Sequence, residues 1–202
     1  MLKVYLIRHG ETPGNKLKRY IGITDEGLSY AGIQAIKGKK YPPVDFVYTS
    51  PKKRCRETAT IIYPQQEHWG FDDLKECDFG DFENKNHYEL AGNDDYQKWI
   101  DSDGLLPFPN GESLEGFSFR CIRGFTEVID RALTDGHGTI AIVTHGGVIM
   151  SIMSHYGEQR QDFYSWLVEN GEGYAIQIDK SDWDNEHKIA SNTPMTYDEA
   201  IY

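Results

Sequence analysis

The chain has 202 residues, 39% apolar and 26% charged, with a formal net charge of −11. That composition excludes disordered, collagen-like and membrane-embedded classes. The acidity argues against nucleic acid as a partner. At this length a single domain, 1–202, with a sizeable core is expected.

Lys3 is followed by only four apolar residues before Arg8, too few for a signal peptide. The three cysteines, Cys55, Cys77 and Cys121, are widely spaced and odd in number, which suits reduced side chains rather than a disulfide framework or a zinc site. A cytoplasmic protein, monomer or homodimer, is therefore expected, with no membrane contact. Charge is unevenly spread: residues 1–67 hold 12 Lys+Arg against 6 Asp+Glu, and residues 68–202 hold 9 against 26. Either this is chance asymmetry on a solvated surface or the first part supplies an anion site.

In chain order, Val4-Tyr5-Leu6-Ile7 reads as a buried strand of a parallel sheet. It ends in Arg8-His9-Gly10, where open α/β sheets place their ligand crevices. Pro13-Gly14-Asn15 predicts a turn, followed by a basic segment from Lys16 to Arg19 and a loop at Tyr20-Ile21-Gly22. Thr24 or Asp25 could cap a helix from about Glu26 to Lys37. A second strand is expected over Asp45–Thr49. Ser50 as N-cap and Pro51 as first helical residue then open a helix, placing Arg54 one turn in and Thr58 on the same face.

A short strand leading to Leu74 precedes an acidic cluster, Glu76, Asp78, Asp81 and Glu83. Residues 84–112 are polar and loop-rich, with a short helix near Tyr96–Ile100, and form the natural candidate for a lid. A long amphipathic helix is predicted from Ser113 to Thr134. The strand Thr139–Thr144 repeats the opening plan, ending in His145-Gly146-Gly147 before a helix to about His155. Tyr174–Ile178 is a further strand, and 180–202 reads as a polar, acidic tail with a strand at 187–190. Strands alternating with helices predict an α/β fold, a three-layer α/β/α sandwich with a largely parallel central sheet.

Two strands that each end in His-Gly would set His9 and His145 at one rim if they are neighbours. A phosphoryl group best fits two imidazoles, guanidinium forks and the helix starts at 51 and 146. A neutral imidazole can attack phosphorus, and a carboxylic acid must then protonate the leaving alkoxide. Residue chemistry alone does not choose Arg54 among Lys52, Lys53 and Arg56, nor one acid among the four. The chain has no G-x-x-x-x-G-K-[ST], G-x-G-x-x-G, H-E-x-x-H or G-x-S-x-G pattern. Arg8 beside His9 disfavours a divalent metal there.

Leu6-Ile7-Arg8-His9-Gly10-Glu11-Thr12 followed by Asn15 resembles the signature of the histidine phosphatase superfamily, which includes cofactor-dependent phosphoglycerate mutases. The likeness continues in order through Arg19-Tyr20-x-Gly22, Leu28-Ser29-x-x-Gly32-x-Gln34-Ala35, Ser50-Pro51-x-x-Arg54-x-x-x-Thr58-Ala59, Glu76-x-x-Phe79-Gly80-Asp81-Phe82-Glu83, Gly111-Glu112-Ser113 and Val143–Gly147. The resemblance implies a phosphoglycerate mutase-like fold and a metal-independent phosphoric monoester hydrolase of histidine acid phosphatase type, without cofactor. In it His9 would be the phosphorylated nucleophile and Glu76 the proton donor. Arg8, Arg54 and His145 would form the phosphate pocket, with Asn15 and Gly146 supporting it and Tyr20, Gly22 and Thr24 bordering the substrate. The implied partner is a small-molecule phosphate ester. Arg19-Tyr20-x-Gly22 and the chain length resemble the α-ribazole phosphatase branch, which makes α-ribazole 5′-phosphate a candidate. A phosphoglycerate mutase and a non-catalytic phosphate-binding module are the alternatives. The chain departs from the family pattern at Gly14, where many members have Trp, and at Asn84, where Gly is usual.

Overall fold

Strand-forming residues alternate sides along the first strand. Leu2, Val4 and Leu6 enter one core cluster while Tyr5 and Ile7 enter another. A strand buried on both faces needs helices on both faces, and the computed structural model of the chain, which describes residues 1–157 and 161–199, has that layered form. Its elements are β1 (Leu2–Arg8), α1 (Pro13–Lys16), α2 (Tyr30–Lys37), β2 (Lys39–Lys40), β3 (Phe46–Thr49), α3 (Lys53–Ile62), β4 (His68–Gly70), α4 (Asp94–Asp101), α5 (Leu114–Thr134), β5 (Thr139–Thr144), α6 (Gly146–Tyr156), β6 (Gly173–Ile178), α7 (Lys180–Glu186), β7 (Ser191–Pro194) and β8 (Asp198–Glu199).

The main sheet has six strands in the order β4-β3-β5-β1-β6-β7. The pairs β3/β4, β3/β5 and β1/β5 are parallel, and β6 and β7 join antiparallel at one side. This is the expected α/β/α sandwich. Helices α5, α6 and α7 pack on the face of Leu2, Val4, Leu6, Ile140 and Ile142. Helix α3 packs on the face of Tyr5, Ile7, Ala141 and Val143. Among the described residues, no helix is long and apolar enough to cross a membrane.

Several boundaries differ from expectation, each for a local hydrogen-bonding reason. Pro13-Gly14-Asn15 is one helical turn rather than an open turn, because Thr12 and Asn15 form a reciprocal capping pair. Helix α2 starts at Tyr30, not Glu26: Ser29 accepts from the Gly32 N–H (2.9 Å), whereas the Leu28 N–H is taken by Glu57 (2.8 Å). Helix α3 starts at Lys53, not Pro51: the Ser50 hydroxyl lies 2.8 Å from His145 Nε2 and accepts from the Lys52 N–H at 3.3 Å, and Lys52 precedes the helix without a side-chain cap bond. The strand anticipated at 187–190 is displaced to 191–194. Asp179 caps an unanticipated helix, α7, which His187 ends in the left-handed conformation (φ 49°). The expected tail is thus built into the sheet edge as far as described, and 200–202 lie outside the described residues.

Trp183 of α7 is fully buried, donates to Asp130 Oδ1 (2.7 Å) and meets Phe125 edge-on at 6.0 Å between ring centres. Phe125, itself fully buried, ties α5 to both α6 and α7. Phe125→Ala should lower unfolding stability by about 3–5 kcal/mol, read as a fall in the midpoint of chemical denaturation.

Candidate active site

Parallel register builds the site. Arg8 pairs with Thr144 across β1/β5, and the His9 N–H donates to the Thr144 carbonyl (2.8 Å). Both strands therefore end at one rim, and the His9 and His145 rings lie 5.2 Å apart at 68°. Across β3/β5, the Ser50 N–H donates to the Val143 carbonyl (2.9 Å), bringing Ser50 to the same rim.

His9 is almost enclosed, 4% exposed. Its Nδ1 lies 2.7 Å from the Gly10 carbonyl. A carbonyl can only accept, so Nδ1 carries the proton and Nε2 keeps its lone pair. Gly10 is itself held, since its N–H donates to Thr58 Oγ1 (3.0 Å) and that hydroxyl donates to the Arg54 carbonyl (2.7 Å). Burial first, then the charges of Arg54 and Arg8, push the His9 pKa well below the ordinary imidazole value. The ring is neutral, with an Nε2 lone pair able to act as a nucleophile.

His145 is fully buried behind it. Arg54 Nε donates to its Nδ1 (3.2 Å), so Nε2 carries the proton and donates to Ser50 Oγ (2.8 Å). The neighbouring Cys55 thiol, 3.5 Å from Nε2, is pushed up to about 12 by burial. It is a neutral packing group.

Arg54 is singled out from its basic neighbours by burial: it has no exposed surface. Lys52 reaches the Ile23 carbonyl and Lys53 pairs with Glu57 (3.8 Å). The Arg54 guanidinium donates to the carbonyls of Thr24 (2.8 Å), Ile21 (3.2 Å) and Gly22 (3.2 Å). Gly22 and Thr24, expected at the substrate border, thus contribute backbone oxygens to Arg54 and do not line the cavity, whereas Tyr20 does. A Cβ at Gly22 would lie 1.7 Å from the Cys77 carbonyl oxygen, which requires glycine there.

Arg8 faces the cavity, with one bond to the Val168 carbonyl (2.6 Å) and a buried Nε that has no partner. Asn15 also lines the cavity. Its Oδ1 accepts from the Thr12 N–H and from Asn170 Nδ2, both at 3.2 Å, which leaves its own amide donors for an anion. Asn170 donates to the His9 carbonyl as well (3.0 Å). No sequence signal marks this lone asparagine near the end of the chain.

The acidic cluster separates by geometry. Asp78 accepts from the Gly80 N–H (2.9 Å), Asp81 from Asn110 (3.0 Å), and Glu83 holds the loop N–H groups of Gly22 and Thr24 (each 2.9 Å). Only Glu76 of the four lines the cavity. Its carboxyl accepts from the N–H groups of Cys77 (3.1 Å) and Gly147 (3.2 Å). Burial raises its pKa above the ordinary carboxyl value despite these bonds and the nearby arginines. A carboxyl group whose pKa is raised in this way can serve as a general acid. Of the two helix starts expected to face an anion, only that of α6 does. Gly146 lines the cavity, but the Lys53 N–H of α3 is taken by Asp25 (2.7 Å).

A clamp missed in the sequence holds Glu76. Arg120 forks onto Glu112 (2.6 and 2.7 Å) and donates to the carbonyls of Asp73 (3.1 Å), Lys75 (2.6 Å) and Glu76 (2.9 Å). Glu112 in turn accepts from the Asp78 N–H (2.9 Å). Both departures from the family pattern fit locally. A Cβ at Gly14 would come within 2.6 Å of Ile21 and Glu26 side-chain atoms, and Asn84 adopts φ 57°, a left-handed conformation asparagine tolerates. Over the floor stands a cavity of about 290 Å³, roofed in part by Trp99, Gly104 and Phe108 of segment 84–112.

Arg120→Ala should lower kcat for alkyl phosphates about tenfold by loosening the 73–78 turn, with a much smaller fall for p-nitrophenyl phosphate, whose leaving group needs no proton. Arg120→Lys should not restore it, because an ammonium lacks the fork. Equal losses on both esters would assign the clamp to stability alone.

The family model of the histidine phosphatase superfamily (branch 1) matches residues 4–189. An adenosylcobalamin/alpha-ribazole phosphatase of Salmonella typhimurium is 30% identical over 187 residues, covering 88% of this chain and 91% of that protein. A 2,3-bisphosphoglycerate-dependent phosphoglycerate mutase of Blochmanniella floridana is 30% identical over 194 residues, 76% of this chain and 82% of that protein. Among solved structures, the alpha-ribazole phosphatase of Shigella flexneri superposes with a TM-score of 0.77 at 25% identity, covering 97% of this chain and 96% of that one.

Proposed function

Since the chain belongs to the histidine phosphatase superfamily, we propose that it is a phosphomonoesterase that passes the phosphoryl group of a small ester to His9 and then to water. The observation that carries this reading is the Nδ1–H···Gly10 bond (2.7 Å), which leaves a neutral Nε2 lone pair beside the cavity. Arg8 and the Asn15 amide hold the phosphoryl oxygens, with Arg54 supplying positive charge and the neutral His145 ring supplying structure beneath.

In the first step Nε2 attacks phosphorus, the P–O ester bond breaks, and Glu76 gives its proton to the departing alkoxide. In the second, water attacks the phosphohistidine, the N–P bond breaks, and the Glu76 carboxylate takes the water's proton. Inorganic phosphate leaves and both residues are restored.

Hydrolysis is favoured over mutase chemistry by the cations. A mutase must grip a second anionic group, yet between 68 and 112 the basic residues are Lys75, Lys85 and Lys98. Lys75 pairs with Asp72 (3.0 Å), Lys98 with Asp95 (2.9 Å), and Lys85 donates to the Asp81 carbonyl (2.7 Å). None lines the cavity. The Salmonella relative's name supports α-ribazole 5′-phosphate as a candidate substrate. The reading takes 1–202 as one domain with 84–112 as its lid, acting in the cytoplasm without metal, cofactor or nucleic acid, as a monomer or homodimer. Its three cysteines are free and buried, as suits that compartment.

Brief incubation with a labelled phosphomonoester in EDTA should give acid-labile label and free phosphate with the wild type and neither with His9→Ala. Label passed to a second sugar-acid hydroxyl would make the protein a mutase. No label and no turnover over a broad ester panel would leave a phosphate-binding module.

The pH profile should be bell-shaped. Activity rises as pH passes upward through the depressed pKa of His9, which must be neutral, and falls through the raised pKa of Glu76, which must be protonated. Glu76→Gln should slow alkyl phosphates by about 10²–10⁴. On p-nitrophenyl phosphate it should cost little in the first-turnover burst of p-nitrophenol, which needs no acid, and remove the falling limb of that burst. A retained falling limb would assign that titration to another group.

A further inference from the structure

Above the polar floor the cavity changes character. Its upper lining includes Tyr20, Phe79, Trp99, Phe108, Phe163 and Tyr164, drawn from three separate parts of the chain. We propose that this upper cavity is a subsite for a flat, uncharged aromatic group, so that the preferred substrate is a phosphomonoester whose alcohol carries a ring system rather than a second anion. The proposal rests on phosphoryl binding at Arg8 and His9, and it concerns the other end of the substrate.

Charge is the first support. Besides Arg8 at the floor, the only cationic side chain among the described residues lining the cavity is Arg19. Arg19 pairs with Glu89 at 2.6 Å and reaches Asn84 at 3.4 Å. A carboxylate on the ligand would have to share that guanidinium with Glu89. An anion left unpaired among aromatic side chains is disfavoured. Arg19 Nε is buried without a partner and suits a neutral acceptor.

Geometry is the second. Trp99 lies 5.2 Å from Phe108 at 31°, Tyr20 stands edge-on to Trp99 at 84°, and Phe79 stands edge-on to Phe108 at 89°. Edge-to-face and offset contacts of this kind are what a further ring would extend. Opposite them, Phe163 and Tyr164 cross at 88°. The two walls meet at Gly104, whose φ of +75° demands glycine and where a Cβ would lie 2.8 Å from Tyr164 Oη and 3.2 Å from Trp99 Cζ2. The walls touch there through a residue with no side chain, so their separation is set by the backbone.

The test is calorimetric titration of the full chain with hydrolysis-inert phosphonates: 2-(1-naphthyl)ethylphosphonate, ethylphosphonate and 3-phosphonopropionate. The naphthyl compound should bind at least tenfold tighter than either of the others. Trp99→Ala and Tyr164→Ala should each bring the naphthyl-to-ethyl affinity ratio to within about threefold of one. Tyr164 is 55% exposed, so its removal leaves the core intact even if Trp99→Ala fails to fold. Equal affinities, or tightest binding of the carboxylate-bearing phosphonate, would overturn the proposal. Binding is read here without turnover, so failure of the phosphohistidine experiment and failure of this subsite are separate results.

Discussion

A guanidinium with no exposed surface governs how the loops of this protein are arranged. Taking such a charge out of water costs several kcal/mol unless its donors are satisfied. Arg54 meets that demand with three backbone carbonyls from residues 21–24 and with Nδ1 of His145. The 20–24 loop must therefore turn its oxygens inward, and Glu83 takes up the N–H groups that turn outward. Because Nδ1 of His145 accepts from Arg54, its tautomer is decided, and with it the direction of the bond to Ser50. Among the described residues no carboxylate pairs with Arg54 or Arg8. Glu76 and Glu169 act on Arg8 only from beyond ion-pair distance. One buried and one half-buried guanidinium thus leave a positive field at the floor of the cavity, which a phosphoryl dianion complements.

The rim itself was legible in the sequence because it depends on period and position. Two apolar runs ending in His-Gly predict two strand ends, and a parallel pair in register brings those ends together. The choice of Arg54 and Glu76 was not legible from residue chemistry, since every neighbour offers the same charge. It turns on burial, and family resemblance supplied it first. The structure separates them on independent grounds: Arg54 is enclosed where Lys53 is solvated, and Glu76 lines the cavity where Asp78, Asp81 and Glu83 close turns. At Gly22 and Thr24 the structure shows backbone carbonyls bound by Arg54, a contact no side-chain pattern reveals.

Asn170 and Arg120 were invisible for a related reason. Each acts on the site through contacts formed only when distant segments meet, and neither type is unusual on a surface. Helix boundaries failed where tertiary bonds removed a cap. Ser50 has the right sequence context for an N-cap, yet its hydroxyl meets a buried imidazole and the Lys52 N–H while the helix opens at Lys53. Local grammar gave way to the need to satisfy a buried polar group.

The same two arginines set both the resting state and the reacting state of His9. Burial first, and then the charges of Arg54 and Arg8, hold the imidazole neutral, so the proposed nucleophile needs no deprotonation step. A phosphoryl dianion at the floor offsets that positive field, which raises the basicity of Nε2 at the moment it must attack. The same dianion lies beside the Glu76 carboxyl, and like charge makes that group hold its proton more firmly until the alkoxide departs. In the proposed cycle, once the phosphoryl group is bonded to nitrogen, Glu76 would be a carboxylate favoured by the charges of Arg54 and Arg8 and a base for water. Substrate charge thus reinforces the protonation states that each step requires.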